Sequence, residues 1–344
     1  MSDKIQKYFA AANSFNGFIS FFKEIFNSED YEKIYVIKGG PGTGKSSLMR
    51  RILQENEKNA DEIEEIYCSS DPHSLDGVII RKNSKQIAFI DGTSPHERDA
   101  NLPALRDELI NLASNIDRRF MKAKGDDILE LNREKAKAYR TAYSYLAQAG
   151  QSASFINSIY KDKFNRKKAK YKAESIFDCN STEKSTKYST RLISSFGKYG
   201  SYGLRPHFDN KIKVNNDDFT SNILLDYFVN FLKFHDLTFR RFPFALSPNH
   251  SDCVFVNNAN LAIIKDDTPD IDASEYFSLT AYDKETVKTA KSIYSTALDE
   301  AVRWFNIASD FHFRLEEIYS SAMNFEKNNE IASQISSEVA NILQ

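Results

Sequence analysis

Short apolar runs recur through the first ninety residues of the chain, and polar or glycine-rich stretches separate them. The runs are rich in β-branched and aromatic residues, which favours buried strands. They lie at residues 34–37, 66–68, 78–80 and 87–90. An amphipathic segment follows the first run, from Ser46 onward. This alternation predicts an α/β fold with a mainly parallel sheet.

Two longer segments have apolar residues at helical spacing. The first covers 126–149, and its apolar stripe consists of Ile128, Leu131, Tyr139, Ala142, Tyr143, Leu146 and Ala149. The second covers 286–308 and has the same character. Stripes of this kind mark amphipathic helices that pack on a partner. Each α/β part of the chain is therefore predicted to be followed by long helices.

The turn after the first strand carries a complete phosphate-binding motif. It matches the P-loop pattern G-x-x-x-x-G-K-[ST] and consists of Gly39, Gly40, Pro41, Gly42, Thr43, Gly44, Lys45, Ser46 and Ser47. Glycines let backbone N–H groups surround a polyphosphate at a helix N-terminus. Lys45 is expected to reach the β- and γ-phosphates, and Ser46 to ligate magnesium. The predicted cofactors are ATP and Mg²⁺, and ATP is favoured over GTP because no NKxD guanine motif follows.

The strand at 87–90 ends in Asp91, which suits a Walker B carboxylate and a second magnesium ligand. An ordinary buried strand ending in an Asp-Gly turn is the alternative. Gly92 follows, where several ATPase classes have a catalytic glutamate. A water-activating group therefore has to come from elsewhere in the chain.

The loop after the strand at 66–68 contains two further carboxylates, Asp71 and Asp76. Ligands of α/β sheets bind beyond the carboxyl ends of strands, so this loop is expected to face the γ-phosphate or an acceptor. Asp71 or Asp76 could position a nucleophile or act as a base, with an Asx turn as the alternative. Together with Lys45 and Asp91 they form the predicted catalytic set.

The second half of the chain repeats segments of the first half in the same order. The matched pairs are 9–18 with 192–201, 33–52 with 211–228, 76–95 with 252–269, and 159–165 with 318–324. The pattern predicts a duplicated fold. Residues 1–180 would form an active P-loop domain with a helical tail, and 190–344 a degenerate copy with its own tail. Two unrelated α/β segments are the alternative.

The second copy lacks the phosphate-binding residues. Its loop reads Asn215-Asn216-Asp217-Asp218-Phe219, without the glycines or the lysine. A carboxylate about 4 Å from a phosphate repels it by roughly 4 kcal/mol at an effective dielectric of about 20. The second half is therefore expected to bind no polyphosphate and to serve as a scaffold or regulator. It is also predicted to pack on the first half and to contribute one of Arg205, Arg240 and Arg241 to the first-half phosphates.

Composition indicates the class of protein more than its chemistry. The 344 residues are 41% hydrophobic and 27% charged, which suits a globular chain of about two domains. A net charge of -2 gives no general attraction to nucleic acid or membranes, although the basic run 161–172 permits a nucleic-acid contact. A solvated helix face is the alternative for that run. The lack of a signal-peptide core and of paired cysteines predicts a cytoplasmic protein with no membrane segment.

The P-loop, the segments YCSSDPHSLDGVII and DGTSPH, and the duplicated layout resemble an uncharacterised bacterial family of tandem P-loop ATPases. The resemblance spans nearly the whole chain and implies nucleotide binding at residues 39–47, with Asp91 as a metal ligand. Both halves of that family tend to carry G-x-P-G-T-G-K-[ST], so the second loop here departs from the pattern. The family implies no known substrate or protein partner.

Three functions remain open from the sequence. The first is an ATPase that drives a conformational change between the two halves. The second is a small-molecule or nucleotide kinase. The sequence lacks the compact arginine-rich lid expected of such a kinase, which argues against this function. The third is an ATP-sensing module, which Gly92 favours because no glutamate follows Asp91. The ATPase is the preferred prediction.

Overall fold

The computed structural model describes residues 4–177, 190–204, 206–257 and 259–344. The predicted domain boundary between 180 and 190 lies almost wholly outside the described residues, as do Cys179 and Arg205. The elements of the first half are β1 (Ile5–Phe9), β2 (Ala11–Ser14), β3 (Gly17–Ser20), α1 (Phe22–Ile25), β4 (Lys33–Lys38), α2 (Lys45–Asn56), β5 (Glu62–Tyr67), β6 (Leu75–Lys82), β7 (Lys85–Asp91), β8 (Asp107–Asn111), α3 (Arg118–Ala123), α4 (Gly125–Asp162) and α5 (Arg166–Ile176).

The second half is shorter and ends in two helices. Its elements are β9 (Ser194–Gly197), β10 (Gly200–Gly203), β11 (Asn210–Asn215), α6 (Thr220–Phe234), β12 (Phe239–Phe244), β13 (Ser247–Val256), β14 (Leu261–Asp266), α7 (Ala281–Ser321) and α8 (Phe325–Ile342). Thr280 begins α7 with a capping box, because its hydroxyl accepts from the N–H of Asp283 and its own N–H donates to the Asp283 carboxylate.

The larger sheet has the strand order β1-β5-β6-β7-β4-β8. β4 is parallel to both of its neighbours, and β1 is parallel to β5. β6 alone runs against its two neighbours. Residues 34–37 of β4 are fully buried, as expected for a central strand covered on both faces. The prediction of a mixed α/β fold with largely parallel strands is confirmed.

The smaller sheet has the order β11-β14-β13-β12. β11 and β14 are parallel, whereas β13 is antiparallel to both of its neighbours. On the free side of β11, Val214 forms a parallel bridge with Ile271. The order and directions therefore match those of β4, β7, β6 and β5 in the larger sheet. The bridge between Val214 and Ile271 corresponds to the parallel pairing of β4 with β8.

The two sheets pack against each other through one apolar layer. Side chains of the larger sheet, such as Ile34 and Ile90, share a buried cluster with Phe242, Cys253 and Ala262 of the smaller sheet. Packing of two apolar sheet faces removes both from water. The two halves are therefore joined through their sheets. The apolar stripes of the long helices did not predict this contact.

The long helices α4 and α7 pack side by side. Ala149 and Tyr160 of α4 share a buried cluster with Val287 and Tyr294 of α7, and earlier residues of α4 meet later residues of α7. The reversed order means that the two helices are antiparallel. The apolar stripes predicted from the sequence therefore face each other.

The helix that follows each long helix packs on the opposite half. Residues 332–339 of α8 join the core that covers α2 of the first half. Ala169 and Ala173 of α5 join the core around α6 of the second half. The basic run 161–172 spans the end of α4 and most of α5, and Lys168 forms an ion pair with Glu275. In the described residues, no helix has the length and apolar character needed to cross a membrane.

Candidate nucleotide-binding site

The P-loop connects the central strand β4 to the first residue of α2. Gly42 has a φ of +68°, in the left-handed region that L side chains rarely adopt. A Cβ at Gly42 would also lie 2.4 Å from the main-chain oxygen of Glu316. The Thr43 hydroxyl donates to the Gly40 carbonyl at 2.9 Å and holds the turn closed. Both the backbone angle and the close approach therefore require glycine at position 42.

Lys45 begins α2 and folds back over the loop. Its Nζ donates to the carbonyls of Gly39 at 3.1 Å and Gly40 at 2.9 Å. The same Nζ lies 3.5 Å from Asp91 Oδ2, and both side chains are largely buried. The structure thus brings together the two charged residues predicted from separate motifs.

The two predicted magnesium ligands are held by local hydrogen bonds. Asp91 Oδ1 accepts from the N–H of Thr93 at 2.8 Å and from its hydroxyl at 2.5 Å. The Ser46 hydroxyl accepts from the Leu75 N–H at 3.0 Å, which leaves its proton available to another acceptor. Magnesium commonly takes one or two protein oxygens and completes its shell with water and nucleotide phosphates. A serine hydroxyl and a fixed carboxylate suit this chemistry.

Asp71 and Asp76 take part in separate contacts. Asp71 accepts from the His73 N–H at 3.1 Å and forms an ion pair with Lys198 at 3.2 Å. Asp76 is not in the loop, as the sequence predicted, but is the second residue of β6, because the strand begins at Leu75; it is buried, and its Oδ2 lies 3.0 Å from His96 Nε2. In the part of the chain that is described, neither carboxylate has a hydrogen bond or ion pair to Lys45. Their catalytic role stays a prediction, and the structure identifies His96 and Lys198 as their partners.

The arginines predicted to assist from the second half have other contacts. Arg241 donates to the Ser251 hydroxyl at 2.8 Å and to two main-chain carbonyls of the β13 segment. The Arg240 guanidinium lies 5.1 Å from the centre of the Tyr8 ring. Arg205 lies outside the described residues. The contribution of an arginine to the phosphates therefore remains a prediction.

Residues of the second half cover the outside of the P-loop, and sequence reasoning missed them. They are Glu316 and Tyr319 near the end of α7, and Phe325 and Asn328 at the start of α8. Asn328 Nδ2 donates to the Thr43 carbonyl at 2.9 Å, and its Oδ1 accepts from Asn115 at 3.0 Å. The matched segments 159–165 and 318–324 were the available signal, but they did not indicate the location. The helical tail of the second half therefore covers the P-loop of the first half.

Asn328→Ala should destabilise the fold by about 1–2 kcal/mol, because the buried Thr43 carbonyl loses its donor. We also expect ATP affinity to fall several-fold, since the loop loses a support at its centre. Urea unfolding and calorimetry measure the two effects. Asn329→Ala is the matched control, because Asn329 is the exposed neighbour and its side chain should matter by less than about 0.5 kcal/mol. Equal effects of the two substitutions would contradict a support role for Asn328.

The loop of the second half has an internal carboxylate at the start of its helix. Asp217 Oδ1 accepts from the N–H groups of Phe219 at 3.0 Å and Thr220 at 2.7 Å, at the N-terminus of α6. Its Oδ2 pairs with Lys291 at 2.9 Å. Burial opposes ionisation, but Lys291 holds the pKa of Asp217 below its usual value. The carboxylate thus satisfies N–H groups that a phosphate would otherwise take.

The second loop also takes part in an ion pair, but the lysine and the carboxylate have exchanged places relative to Lys45 and Asp91 in the first half. Lys265 Nζ lies 3.5 Å from Asp218 Oδ1 and 2.8 Å from Asp252 Oδ1. In the first half the lysine belongs to the loop segment and the carboxylate to the strand, whereas here the strand supplies the lysine. Burial raises the pKa of Asp218, and Lys265 only partly opposes this.

Comparisons of the chain with protein-family models, with curated proteins and with solved structures found no match. Its function is therefore inferred from its own residues and geometry.

Proposed function

We propose that the chain is a P-loop ATPase that binds Mg²⁺ and ATP in its first half. The position of Lys45, hydrogen-bonded to loop carbonyls and 3.5 Å from Asp91, carries the proposal. The loop N–H groups and the α2 N-terminus would bind the phosphates, with Lys45 at the β- and γ-phosphates. Ser46 and Asp91 would hold magnesium, which neutralises charge on the phosphates.

Water activation in this proposal belongs to Asp71, in the loop that joins β5 to β6, or to Asp76, the second residue of β6. Gly92 provides no base beside Asp91, so Asp76 or Asp71 takes this role in the proposal. Asp76 is the stronger candidate, because it is buried and its Oδ2 lies 3.0 Å from His96 Nε2, a group that can exchange a proton.

Internal duplication and membership of a tandem P-loop family belong to the same proposal. The matching strand order of the two sheets supports it. The helices α5 and α8 support it too, because Asn165 and Asn324 cap them in the same way and each packs on the opposite half. In this proposal the second copy has lost its phosphate site and has become a scaffold that holds the first P-loop through Asn328.

The proposal predicts one nucleotide per chain, because Asp217 occupies the N–H groups of the second loop. Calorimetric titration of the full chain with Mg-ATP should give a stoichiometry near one. Turnover assays with ATP and GTP, with and without phosphoryl acceptors, distinguish the reactions. ATP hydrolysis without an acceptor supports the ATPase, and turnover only with an acceptor indicates a kinase. Tight binding without any turnover indicates a sensor, and two sites per chain would contradict the assignment of the second half.

A further inference from the structure

The helix α7 reaches the P-loop from the loop that joins β5 to β6. Near its end, the main-chain oxygen of Glu316 lies against the P-loop, 2.4 Å from where a Cβ of Gly42 would be. Two turns earlier, the Ser309 hydroxyl accepts from Lys198 Nζ at 3.3 Å, and the same Nζ pairs with Asp71 at 3.2 Å. Seven residues of helix span about 10 Å. This stretch of α7 therefore covers the gap between the two loops.

The helix α4 runs alongside this stretch in the opposite direction. The Tyr139 ring of α4 lies 5.9 Å from the Phe305 ring of α7, measured between centres. Burial, followed by the nearby Cys68 and Asp71, raises the pKa of Tyr139 to about 12, so this residue lies at the loop that joins β5 to β6. Because the helices are antiparallel, residues before Tyr139 lie beside residues after Phe305. Lys135, one turn before Tyr139 and on the same face, therefore lies beside the stretch of α7 that leads to the P-loop.

Lys135 is half-buried, and in the part of the chain that the structure describes its ammonium has no hydrogen bond or ion pair. Burial lowers the pKa of Lys135, and no carboxylate opposes this effect. Removing an ammonium from water without a counter-charge is costly. Lys198 differs, because Asp71 and Ser309 already contact its ammonium. Lys135 is thus a positive charge that a bound anion would neutralise.

The anion that the proposed function brings to this region is the γ-phosphate of ATP. The γ-phosphoryl group spreads its charge over three oxygens, and Lys45 alone does not contact all of them. The loop that joins β5 to β6 lies over the metal-binding end of the P-loop, because the Leu75 N–H at its end donates to the Ser46 hydroxyl at 3.0 Å. The terminal phosphate would lie between these two loops. Lys135 is beside this gap, and its flexible four-carbon stem lets the ammonium reach a phosphate oxygen there.

We propose that Lys135 is a catalytic residue that binds the γ-phosphate of ATP. This inference rests on the proposed function and adds to its site a residue from the helical tail. In the reaction, the oxygen of water bonds to the γ-phosphorus, the bond to the bridging oxygen breaks, and its electron pair stays on ADP. A water proton passes to Asp76 or Asp71. The Lys135 ammonium keeps its proton and neutralises charge on the oxygens of the transferred phosphoryl group.

Calorimetric titrations of the full chain with Mg-ATP and Mg-ADP test this inference. Lys135→Met removes the charge and keeps the length of the side chain. We expect it to weaken Mg-ATP binding by at least about tenfold and Mg-ADP binding by less than about twofold, because only ATP has a γ-phosphate. Phosphate release should fall by at least about 100-fold. Lys135→Arg keeps a positive charge and should bind Mg-ATP more tightly than Lys135→Met.

Lys137→Met is the matched control on the same helix. The Lys137 side chain is 67% exposed, and its Nζ lies 3.7 Å from Glu134. Exposed ion pairs contribute little, so both nucleotide affinities should stay within about twofold of wild type. The proposal is overturned if Lys135→Met binds Mg-ATP as tightly as wild type. Equal losses of ATP and ADP affinity would overturn it too.

Urea unfolding without nucleotide separates a catalytic role from a structural one. The Lys135 ammonium has no partner in the nucleotide-free chain, so Lys135→Met should not lower the urea midpoint. A lower midpoint would assign the side chain to the fold and contradict the proposal.

The variant Lys45→Ala separates this inference from the proposed function. If Lys45→Ala abolishes ATP binding and Lys135→Met leaves it unchanged, only the role of Lys135 is refuted. If the wild-type chain binds no Mg-ATP, the proposed function is refuted and the role of Lys135 with it. The comparison of ATP with ADP needs no turnover, so it also tests Lys135 in a chain that only senses ATP.

Discussion

Lys45→Ala is expected to weaken Mg-ATP binding by about 100-fold and to abolish turnover. The substitution removes the only ammonium that contacts both the loop carbonyls and Asp91 among the described residues. Charge-assisted contacts to phosphate are among the strongest hydrogen bonds in proteins, and about 2.7 kcal/mol corresponds to this change in affinity. Calorimetry measures the dissociation constant, and a phosphate-release assay measures turnover.

Lys85→Ala is the matched control for this substitution. Lys85 begins β7, the strand that ends in Asp91, and its Nζ donates to the Ile342 carbonyl at 2.8 Å. It is therefore a partly buried lysine at the opposite end of the same strand. We expect its loss to change stability slightly and ATP affinity by less than about twofold. Unchanged ATP affinity in Lys45→Ala, or an equal loss in Lys85→Ala, would refute the proposed role of the loop lysine.

Glu64→Gln should lower the free energy of unfolding by about 3 kcal/mol at neutral pH. Glu64 on β5 is buried, and its carboxylate oxygens lie 2.7 Å from Arg191 Nε and 2.9 Å from an Arg81 nitrogen. A neutral amide leaves buried guanidinium charge without its counter-ion. Because Arg191 precedes β9, the pair also ties the two halves together. Urea unfolding at pH 7 measures the loss.

The pH dependence of this effect has a definite sign. Burial would raise the pKa of Glu64, but Arg191 and Arg81 hold it below its ordinary value of 4.5. A carboxyl with a depressed folded-state pKa stabilises the fold above its unfolded pKa, and the stabilisation is lost as pH falls through the folded pKa. The difference between wild type and Glu64→Gln should therefore be largest above pH 5 and should shrink in acid below pH 4.5.

Glu62→Gln provides the comparison on the same strand and the same arginine. The Glu62 carboxylate lies 3.2 Å from the Arg81 nitrogen, but its side chain is 50% exposed. Exposed ion pairs contribute about 0–1 kcal/mol, so this substitution should have a small effect. If Glu62→Gln and Glu64→Gln lowered the free energy of unfolding equally, burial and the contact with Arg191 would not explain how much Glu64 contributes to stability.

The sequence alone was sufficient to predict the local parts of the site. A β-branched run, a glycine-rich turn and an amphipathic run predict β4, the P-loop and α2, because these features depend on neighbours in the chain. Asp91 was predicted because it ends a buried apolar strand. The long helices α4 and α7 were predicted for the same reason, since an apolar stripe at helical spacing is a local pattern. The missing lysine of the second loop was also readable from its residues.

Only the tertiary structure determined which of these elements meet. Asn328 donates a hydrogen bond to the carbonyl of Thr43, although the two residues lie far apart in sequence, and α8 packs on α2 rather than on its own half. An apolar stripe specifies that a face must be buried, but many faces of similar composition can bury it. The pairing of Lys265 with Asp218 likewise depends on segments that are far apart in sequence. The positions of these residues follow from how the two sheets and the two long helices pack together, and no local sequence pattern predicts that packing.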